Sequence, residues 1–359
     1  MQIPVNRKVL NFAWSAELVG SNIRKLGQSK WEKKGGFIMK RVGNLYEQVI
    51  DIENIKLAIH NASKTKKKHR VVKKINKNAD EYAMALHNNF RISGDYRKKI
   101  HIDNSSQKER LLEIPPFYPD QIVQHALVKI TLPYIEKRFI AQTCCSIKKR
   151  GSLYASELAR KYIRSGCKYF VKLDIRKYFP NIDRQILKDQ LKRIFKDKNI
   201  LSSYFEIIDS TEKGLPIGSY TSQPLANLYL TPLDRFIKET LKVKYYIRYM
   251  DDIVILSKNK RKLKKLIKPI KDFISTLKLE THNDEIVYSL KYTPLDFCAY
   301  RHYSTHTTIR RRVCKRIIRC LKRNKKYVIT KRMKRGISYY GYILHSNSCS
   351  LVNRYLKGV

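Results

Sequence analysis

The sequence predicts an α+β fold in which a small sheet packs against helices in the split βαβ manner. Strand-like and helix-like segments follow one another in the order strand, helix, helix, strand–turn–strand, helix and short strands, and this order is typical of that arrangement. The 359 residues suffice for two or three domains, and 43% of them are hydrophobic. The chain can therefore bury a core despite its charge.

The first half of the chain reads as mainly helical. A helical domain begins at Met39, a helix and a turn at Ser93-Gly94 occupy residues 80–100, and residues 107–135 read as a strand, a Pro-rich turn and an amphipathic helix. The apolar residues of this last helix recur at helical spacing: Val123, Ala126, Leu127 and Ile130. The lysine-rich run 63–78 predicts a solvated face and a nucleic-acid-binding face equally well.

The second half alternates strands and helices. The predicted elements are a strand at 167–179, a helix at 183–195 capped by Asp183, a helix at 222–241, a strand pair at 244–258 around a tight turn, a basic helix at 259–277, short strands within 279–304 and a basic amphipathic helix at 308–327 with a helical or irregular tail.

The charge of the chain predicts a polyanionic partner. There are 76 lysines and arginines against 30 acidic residues, which gives a formal net charge of +46. The 24 tyrosines and 12 phenylalanines add stacking surfaces, so nucleic acid is the favoured partner. A basic surface that serves only solubility is disfavoured, because so large an excess strains a compact fold by self-repulsion.

Membrane insertion and secretion are not expected. No apolar stretch reaches the roughly 18 residues of a membrane span, and the N-terminus lacks the apolar core of a signal peptide. The 7 cysteines are scattered without C-x-x-C or zinc spacing. Free thiols and a cytoplasmic location are therefore predicted.

Carboxylates inside apolar strands are the main chemical signal. Asp251 and Asp252 lie in YMDDIVIL, and Asp174 lies in FVKLDIRKYF. An isolated Asp-Asp pair is most often a surface turn, but here apolar strand residues flank it on both sides. Carboxylates in such places are tolerated when a divalent cation neutralises them.

Such a site suits Mg²⁺, which prefers hard oxygen ligands and shares its shell with substrate phosphates. Two ions could activate a 3′-hydroxyl and stabilise the leaving pyrophosphate, with Mn²⁺ as a substitute. In this hypothesis Asp174 and Asp251 bridge the metals, Ile175 adjoins them, and Asp252 orients the site.

These motifs resemble those of reverse transcriptases. YMDD resembles the metal-binding hairpin of that family's palm, and FVKLDIRKYFPNID resembles its first catalytic strand. The resemblance, over about residues 39 to 345, implies a right-hand polymerase fold with fingers, a split βαβ palm and a short helical thumb. The implied ranges are an extension at 1–38, disordered or not native, N-terminal helices and fingers at 39–165, the palm at 166–305 and a basic helical thumb at 306–359.

The resemblance also implies a nucleotide site. Phe179 stands five residues after Asp174, where the family places an aromatic gate against the ribose 2′-hydroxyl; a core phenylalanine is the alternative. Lys108 and Arg110 resemble fingers residues that grip the triphosphate; a solvated pair is the alternative.

Template and primer contacts are implied less directly. Gln124 and His125 match a fingers helix, while Arg150 and Gly151 lie where the family has a segment near the template. The remaining expected template–primer residues are Tyr249, Met250, Tyr300 and Arg301.

The stretch GLPIGSYTSQPLANLYL resembles the reverse transcriptases of diversity-generating retroelements. The family commonly has Gln and Pro where this chain has Ile217 and Gln223, on either side of Gly218 and Ser222. These residues are expected near the nucleotide, and Ile217 cannot hydrogen-bond there. The resemblance implies copying of a template-repeat RNA into cDNA with frequent errors at adenines, for mutagenic retrohoming.

Two features depart from the family pattern. Ala299 occupies a position that is commonly glycine in the turn that grips the primer, and alanine tolerates a positive φ less well. The lysine expected near the pyrophosphate has two candidates, Lys278 and His282.

Other functions are kept as alternatives. The chain could be a retron, group II-like or phage-defence reverse transcriptase, or a catalytically inactive nucleic-acid-binding scaffold. The expected partners are an RNA template, an RNA/DNA primer duplex, dNTPs and a small basic helical accessory protein, with no membrane.

Overall fold

A computed structural model of the protein describes residues 40–102, 109–282, 286–324 and 341–348. The chain divides into the units Met1–Arg41 and Val42–Val359, and the elements below belong to the second. The expected extension at 1–38, Lys108 and most of the tail after residue 324 lie outside the described residues.

Helices dominate the part of the chain before the main sheet. They are α1 Tyr46–Ile50, α2 Ile52–Ser63, α3 Arg70–Lys77, α4 Ala79–Asn88, α5 Ile122–Glu136 and α6 Ser152–Arg164. The strands β1 Arg97–Ile102 and β2 Glu109–Ile114 form an exposed antiparallel ribbon in front of α5. A π-helical turn, Phe117–Gln121, leads from this ribbon into α5.

The main sheet has five strands in the order β3-β5-β6-β4-β7. Their bounds are β3 Thr143–Cys144, β4 Tyr169–Asp174, β5 Tyr246–Tyr249, β6 Asp252–Ser257 and β7 Tyr288–Ser289. The connecting helices are α7 Tyr178–Asn181, α8 Arg184–Lys192, α9 Lys198–Asp209, α10 Ser222–Tyr229, α11 Thr231–Arg235 and α12 Lys260–Thr276. A second sheet of β8 Leu295–Phe297, β9 Tyr300–His302 and β10 Thr307–Ile309 precedes α13 Arg311–Asn324.

The main sheet is covered on both faces. Val171 and Ile253 face the larger core, where Leu263 and Ile270 of α12 are also buried. The alternate residues of β4, β5 and β6 point to the other face of the sheet, where they form a smaller cluster with residues of α6 and β8. Alternating side chains in these strands therefore enter two cores, which explains why the strands carry apolar residues almost without interruption.

Most of the predicted elements are confirmed. Asp183 caps α8 by accepting the Ile186 N–H at 2.9 Å, and the basic helix predicted at 259–277 is α12. The predicted helix at 222–241 is wrong as a single element. It consists of α10, α11 and a π-helical turn, Phe236–Thr240, because Pro232 has no N–H to continue the first helix and instead begins the next one.

Two further differences from the predicted elements concern the start of one helix and the presence of another. The last basic helix begins at Arg311 rather than near 308, because Thr307–Ile309 pairs with β9. Helix α9 was not predicted, although Asp197 caps it by accepting from the N–H groups of Asn199 and Ile200. Within the described ranges, no helix is both long and apolar enough to cross a membrane.

Candidate active site

The tight turn between β5 and β6 carries the paired aspartates. Tyr249 lies opposite Asp252 in the antiparallel register, so Met250 and Asp251 form the turn itself. Met250 has a φ of +57°, a left-handed conformation that costs a non-glycine residue energy. The surrounding structure must therefore hold this turn in place.

The three aspartates predicted from the sequence come together at one end of the sheet. Asp174 is the last residue of β4 and lies directly opposite Asp252, the first residue of β6. Burial raises the pKa of Asp251 to about 6, and the charges of Asp174 and Asp252 push it in the same direction, whereas the nearby Arg110 lowers it. The carboxylates are thus close enough to oppose one another's ionisation.

A lysine that the sequence analysis did not single out neutralises part of this charge. The Lys172 Nζ lies 2.9 Å from Asp252 Oδ1. Lys172 precedes Asp174 by two residues in β4, so both side chains leave the same face of the strand. This two-residue spacing could have predicted the contact, because a lysine two positions before a carboxylate at the end of a strand lies on the same face of the sheet.

The donor chemistry of this cluster fits Mg²⁺. Three carboxylates supply hard oxygen ligands. The pKa of Asp251 is raised first by burial and then by the charges of Asp174 and Asp252, and a bound divalent cation would offset both effects. Within the described part of the chain, no group of three His, Cys, Asp or Glu side chains is already arranged to hold a metal ion. Ile175 is buried in the core, so only its main-chain carbonyl could contribute.

A fully buried arginine holds the turn between β5 and β6. Arg248 makes a bidentate ion pair with Asp234, at 2.7 Å for Nε–Oδ1 and 2.6 Å for Nη2–Oδ2. It also donates to the side chain and the carbonyl of Asn227. Its fifth bond, from Nη1 to the Met250 carbonyl at 3.0 Å, reaches the strained turn.

This network involves groups far apart in sequence. Thr143 and Tyr246 also donate to the Asp234 carboxylate. Burial alone would lower the pKa of Arg248, but the Asp234 charge outweighs it and raises that pKa. Arg248 was not among the residues predicted from the sequence, although a charged residue inside the apolar run YYIRYM gives the same signal as the aspartates.

Phe179, the expected steric gate, follows the catalytic strand in α7. Its half-buried ring packs edge-on against Tyr178, with 5.6 Å between centroids. Its carbonyl accepts the Leu215 N–H at 3.0 Å. Gly214, at a φ of +59°, lies so near that an added Cβ would be 2.1 Å from the Phe179 carbonyl oxygen. Only glycine fits there.

We expect Gly214→Ala to destabilise the protein by about 3 kcal/mol, through overpacking and left-handed strain together. Gly94→Ala is the matched control, since Gly94 has a φ of +78° with nothing within 4 Å of an added Cβ. It should cost only about 1 kcal/mol. Urea denaturation measures both losses, and equal losses would contradict the steric explanation.

The ribbon β1–β2 reaches toward the carboxylates. Arg110 of β2 is exposed, and its charge acts on Asp251. The Glu113 N–H donates to the Ile217 carbonyl at 2.9 Å. Gly218, at a φ of +130°, would place a Cβ 3.0 Å from the Glu113 carbonyl oxygen. Glycine at position 218 therefore allows the loop backbone to lie close to the backbone of β2.

The loop after Gly218 is also tied to α5. Gln124 is buried, and its Oε1 accepts from Ser219 Oγ at 2.8 Å and from the Tyr220 N–H at 2.9 Å. The exposed Tyr220 ring stacks on His125, with 3.8 Å between centroids. Burial, and then the charge of Lys66, lower the pKa of His125 to about 4, so this ring is neutral near pH 7.

One residue expected near the nucleotide and two expected near the template lie around the turn after β3. Gln223 accepts from Ser146 Oγ at 2.7 Å. Arg150 donates to the Ile140 carbonyl at 2.9 Å, so it braces this turn. Gly151 precedes α6 at a φ of −86°, with nothing within 4 Å of an added Cβ. Glycine is not required there.

The β8–β9 hairpin lies near the same carboxylates. Its turn residues, Cys298 and Ala299, have φ values of +48° and +72°, as a tight two-residue hairpin requires. Ala299 therefore occupies a position that favours glycine. Burial raises the pKa of Cys298, and so does the neighbouring Asp252 carboxylate. The Tyr300 side chain is buried against Tyr342, whereas Arg301 is exposed.

Geometry separates the two candidates for the family's pyrophosphate residue. The Lys278 Nζ lies 2.6 Å from Asp183 Oδ2, so it is engaged at the cap of α8. His282 instead donates its N–H to the Asp174 carbonyl at 3.0 Å, and its Nε2 is 3.9 Å from Asp174 Oδ2. The structure brings His282, and not Lys278, to the carboxylate cluster.

Telomerases are among the solved structures that align with this chain. Telomerase from Candida albicans in complex with a fragment of telomeric RNA aligns with a TM-score of 0.48 at 10% identity, over 72% of this chain and 56% of that one. Apo telomerase from Candida tropicalis, truncated from its C-terminal domain, aligns with a TM-score of 0.46 at 10% identity, over 60% and 55%.

Sequence comparison is more specific. The group II intron-encoded protein LtrA of Lactococcus lactis subsp. cremoris is 29% identical over 151 residues, which are 39% of this chain and 25% of that protein. The chain thus spans about a quarter of the length of this curated relative. The profile of the family described as reverse transcriptase (RNA-dependent DNA polymerase) matches residues 102–344, more than half of the chain and including all three carboxylates. The chain therefore belongs to the reverse transcriptase family.

Proposed function

We propose that this protein copies an RNA template into cDNA at the site formed by Asp174, Asp251 and Asp252. The observation that carries the proposal is the register of the sheet, which sets Asp174 opposite Asp252 with Asp251 in the adjoining turn. The proposed layout is an extension at 1–38, N-terminal helices and fingers at 39–165, a split βαβ palm at 166–305 and a thumb at 306–359.

The three aspartates would hold two Mg²⁺ ions, which would lower the pKa of the primer hydroxyl and offset charge on the leaving pyrophosphate. The protein's own residues prepare this chemistry. Asp251, with a pKa of about 6, is ionised at pH 7.5 and free to act as a ligand. Lys172 holds Asp252 in place until a stronger cation competes for it.

Substrate selection is assigned to the residues around the carboxylates. The cationic Arg110, with Lys108 beside it in the sequence, would neutralise the triphosphate. Phe179 would exclude a ribose 2′-hydroxyl by steric contact. The exposed Arg301 would contact primer phosphates, while Tyr300, whose ring packs against Tyr342, would hold the strand in place.

We assign the enzyme to the diversity-generating type, with a template-repeat RNA and a small basic helical accessory protein as partners. The support is the pair Ile217 and Gln223 on either side of the Gly218 loop. Ile217 fixes this loop through its carbonyl but offers no side-chain hydrogen bond to a base pair. Fewer polar constraints should weaken discrimination between correct and incorrect pairs.

A group II-like enzyme is the second candidate, and the 151-residue match to LtrA favours it. Sequencing of cDNA made by the purified protein on a defined RNA, with dNTPs and Mg²⁺, tests both. Errors concentrated at template adenines would support the diversity-generating type. Accurate cDNA would support the group II-like enzyme, and no cDNA at all would argue for the inactive scaffold.

We expect Ile217→Gln to lower misincorporation at template adenines by roughly threefold to tenfold, since one added hydrogen bond near the pair contributes about 1 kcal/mol of discrimination. The measurement is the error spectrum of cDNA from the two enzymes. Ile217→Leu is the matched control and should keep the wild-type spectrum. An unchanged adenine error rate in Ile217→Gln would contradict this role.

A further inference from the structure

A dense positive surface lies at the end of the main sheet opposite the carboxylates. It is formed by residues 161–168, 242–244 and 258–268, here called the basic end. These segments contain twelve lysines and arginines and no aspartate or glutamate. All twelve cationic residues are exposed. The basic end is thus an uninterrupted concentration of one sign of charge.

Backbone contacts join the three segments. The Lys168 N–H donates to the Ser257 carbonyl at 3.0 Å, and the Leu256 N–H donates to the Tyr245 carbonyl at 2.9 Å. An added Cβ on Gly166 would lie 3.5 Å from Lys258 Cε. These contacts place the end of α6, the start of β4, the start of β5 and the start of α12 side by side.

The basic end is separate from the catalytic cluster. Asp252 begins β6 and Ser257 ends it, and a strand advances about 3.3 Å per residue, so roughly 17 Å separates them. A template–primer duplex seated over Asp174 and Asp252 would have its reacting end at the end of the strands away from the basic end. The lysines at the basic end must therefore serve contacts other than those at the reacting end.

The charges at the basic end are not balanced within the described residues. Ion pairs occupy many other cations of the fold, among them Lys98, Lys188 and Arg310. None of the twelve cations at the basic end takes part in an ion pair with a described carboxylate. Their counter-charges must come from solvent ions or from a partner.

The placement of these cations also works against the helix that carries them. α12 has Lys260, Arg261 and Lys262 in its first turn, with no acidic residue there. The N-terminus of a helix carries partial positive charge, so cations at this position are unfavourable. If stability alone mattered, acidic residues would be favoured at this position. The cations found there instead therefore indicate a role in binding.

The chemistry of the surface favours a phosphate backbone over a membrane. No large exposed hydrophobic residue lies in the three segments, and Leu263 and Ile270, the apolar side of α12, are buried against the sheet. A membrane-surface helix needs an outward apolar face. Lys260, Lys264 and Lys268 instead form one row of charges along the helix at i, i+4 spacing, where side chains are neighbours.

We propose that the basic end binds the sugar–phosphate backbone of structured RNA outside the catalytic cleft, in particular the part of the template RNA that is not being copied. RNA is chosen over DNA because the family copies RNA, so the RNA strand is the one that extends beyond the reacting duplex. Binding is independent of base sequence, since lysines contact phosphates, and it displaces counterions.

The test variant is Lys260→Gln/Lys264→Gln/Lys265→Gln in the full chain. The charge-matched control is Lys192→Gln/Lys196→Gln/Lys198→Gln, at the end of α8 and the start of α9, outside the three segments of the basic end. The probe is a long hairpin-containing RNA titrated at several salt concentrations. We expect the test variant to bind it at least about tenfold more weakly, with a salt slope reduced by about 2. The control should bind like the wild type.

Three further measurements separate this proposal from its alternatives and from the proposed catalytic function. The melting temperature of the test variant should equal or exceed that of the wild type, because the first turn of α12 loses an unfavourable charge. Extension of a short primer–template that fills only the cleft should be unchanged. Binding to anionic lipid vesicles should weaken less than binding to RNA.

The proposal is overturned if the control loses as much RNA affinity as the test variant, because bulk charge would then be the cause. It is also overturned if vesicle binding falls more than RNA binding, or if the salt slope is unchanged. Failure of short primer extension in the wild type would refute the proposed function and leave the RNA-binding result standing on its own.

Discussion

Asp251→Asn should abolish primer extension and, at the same time, stabilise the metal-free protein. Activity should fall by roughly 10³-fold or more, because the cluster loses a ligand for the ions that carry the charge of the reaction. Stability should rise because burial and the charges of Asp174 and Asp252 make ionised Asp251 unfavourable. Active-site residues often destabilise the folded protein, so replacing one can raise stability while it lowers activity.

The stability gain has a defined pH window. The pKa of Asp251 is about 6 in the folded protein, against 3.8 for an unperturbed aspartate. Because the folded value is higher, the native state loses stability as the pH rises through the interval from 3.8 to about 6, and the loss is complete above it. The asparagine variant should therefore be more stable by about 3 kcal/mol at pH 7.5 and equal to the wild type below pH 4.

Urea denaturation in EDTA at pH 4, 5, 6 and 7.5 measures this gain, and extension of a primed RNA measures the activity. Asp189→Asn is a control of opposite sign, since the hydrogen bonds from Lys192 and Gln185 outweigh burial and lower the pKa of Asp189. That variant should keep its activity and lose a little stability at pH 7.5. An active Asp251→Asn enzyme would refute the catalytic assignment.

Arg248→Met should destabilise the protein by about 3–5 kcal/mol, because it leaves the Asp234 carboxylate buried without its cation. Arg248 is fully buried, and all five of its N–H donors are used. The variant should also lose extension activity, since the Met250 carbonyl loses the donor that holds the catalytic turn.

The double variant Arg248→Met/Asp234→Asn separates these two effects. It removes the unpaired charge. Thr143 and Tyr246 donate to different oxygens of Asp234, so the amide keeps an acceptor for one of the two hydroxyls and can donate to the other. At least half of the lost stability should therefore return. Activity should not return, because the tie to Met250 is still absent. Recovery of extension in the double variant, or wild-type stability in Arg248→Met, would contradict this role.

Local signals in the sequence predicted much of the fold. Asp183 and the 3.6-residue periodicity after it predicted α8, and the apolar runs around YMDD predicted the β5–β6 hairpin that the structure contains. The family expectation is confirmed by the match over residues 102–344. These predictions succeed because caps, turns and periodicity depend on residues within one or two turns of chain.

Contacts between distant segments were not predictable in the same way. No local pattern shows that Gly214 lies against Phe179, or that Lys278 pairs with Asp183 while His282 adjoins Asp174. The burial of Tyr300 and exposure of Arg301 depend likewise on how β9 packs. Such contacts depend on which elements meet in the packed core. Local sequence patterns do not show this, because it follows only from the complete fold.

The sequence by itself determined the chemical inventory of this protein: three carboxylates in apolar strands, an aromatic residue five positions after the first, and a charge of +46. Only the tertiary structure decided how these parts are used. The antiparallel register set Asp174 opposite Asp252, Arg248 anchored the turn between β5 and β6, and the lysines of three separate segments met at the far end of the sheet. The physical reason is that residue types are properties of positions, whereas charge clusters and buried ion pairs exist only once the chain has closed on itself.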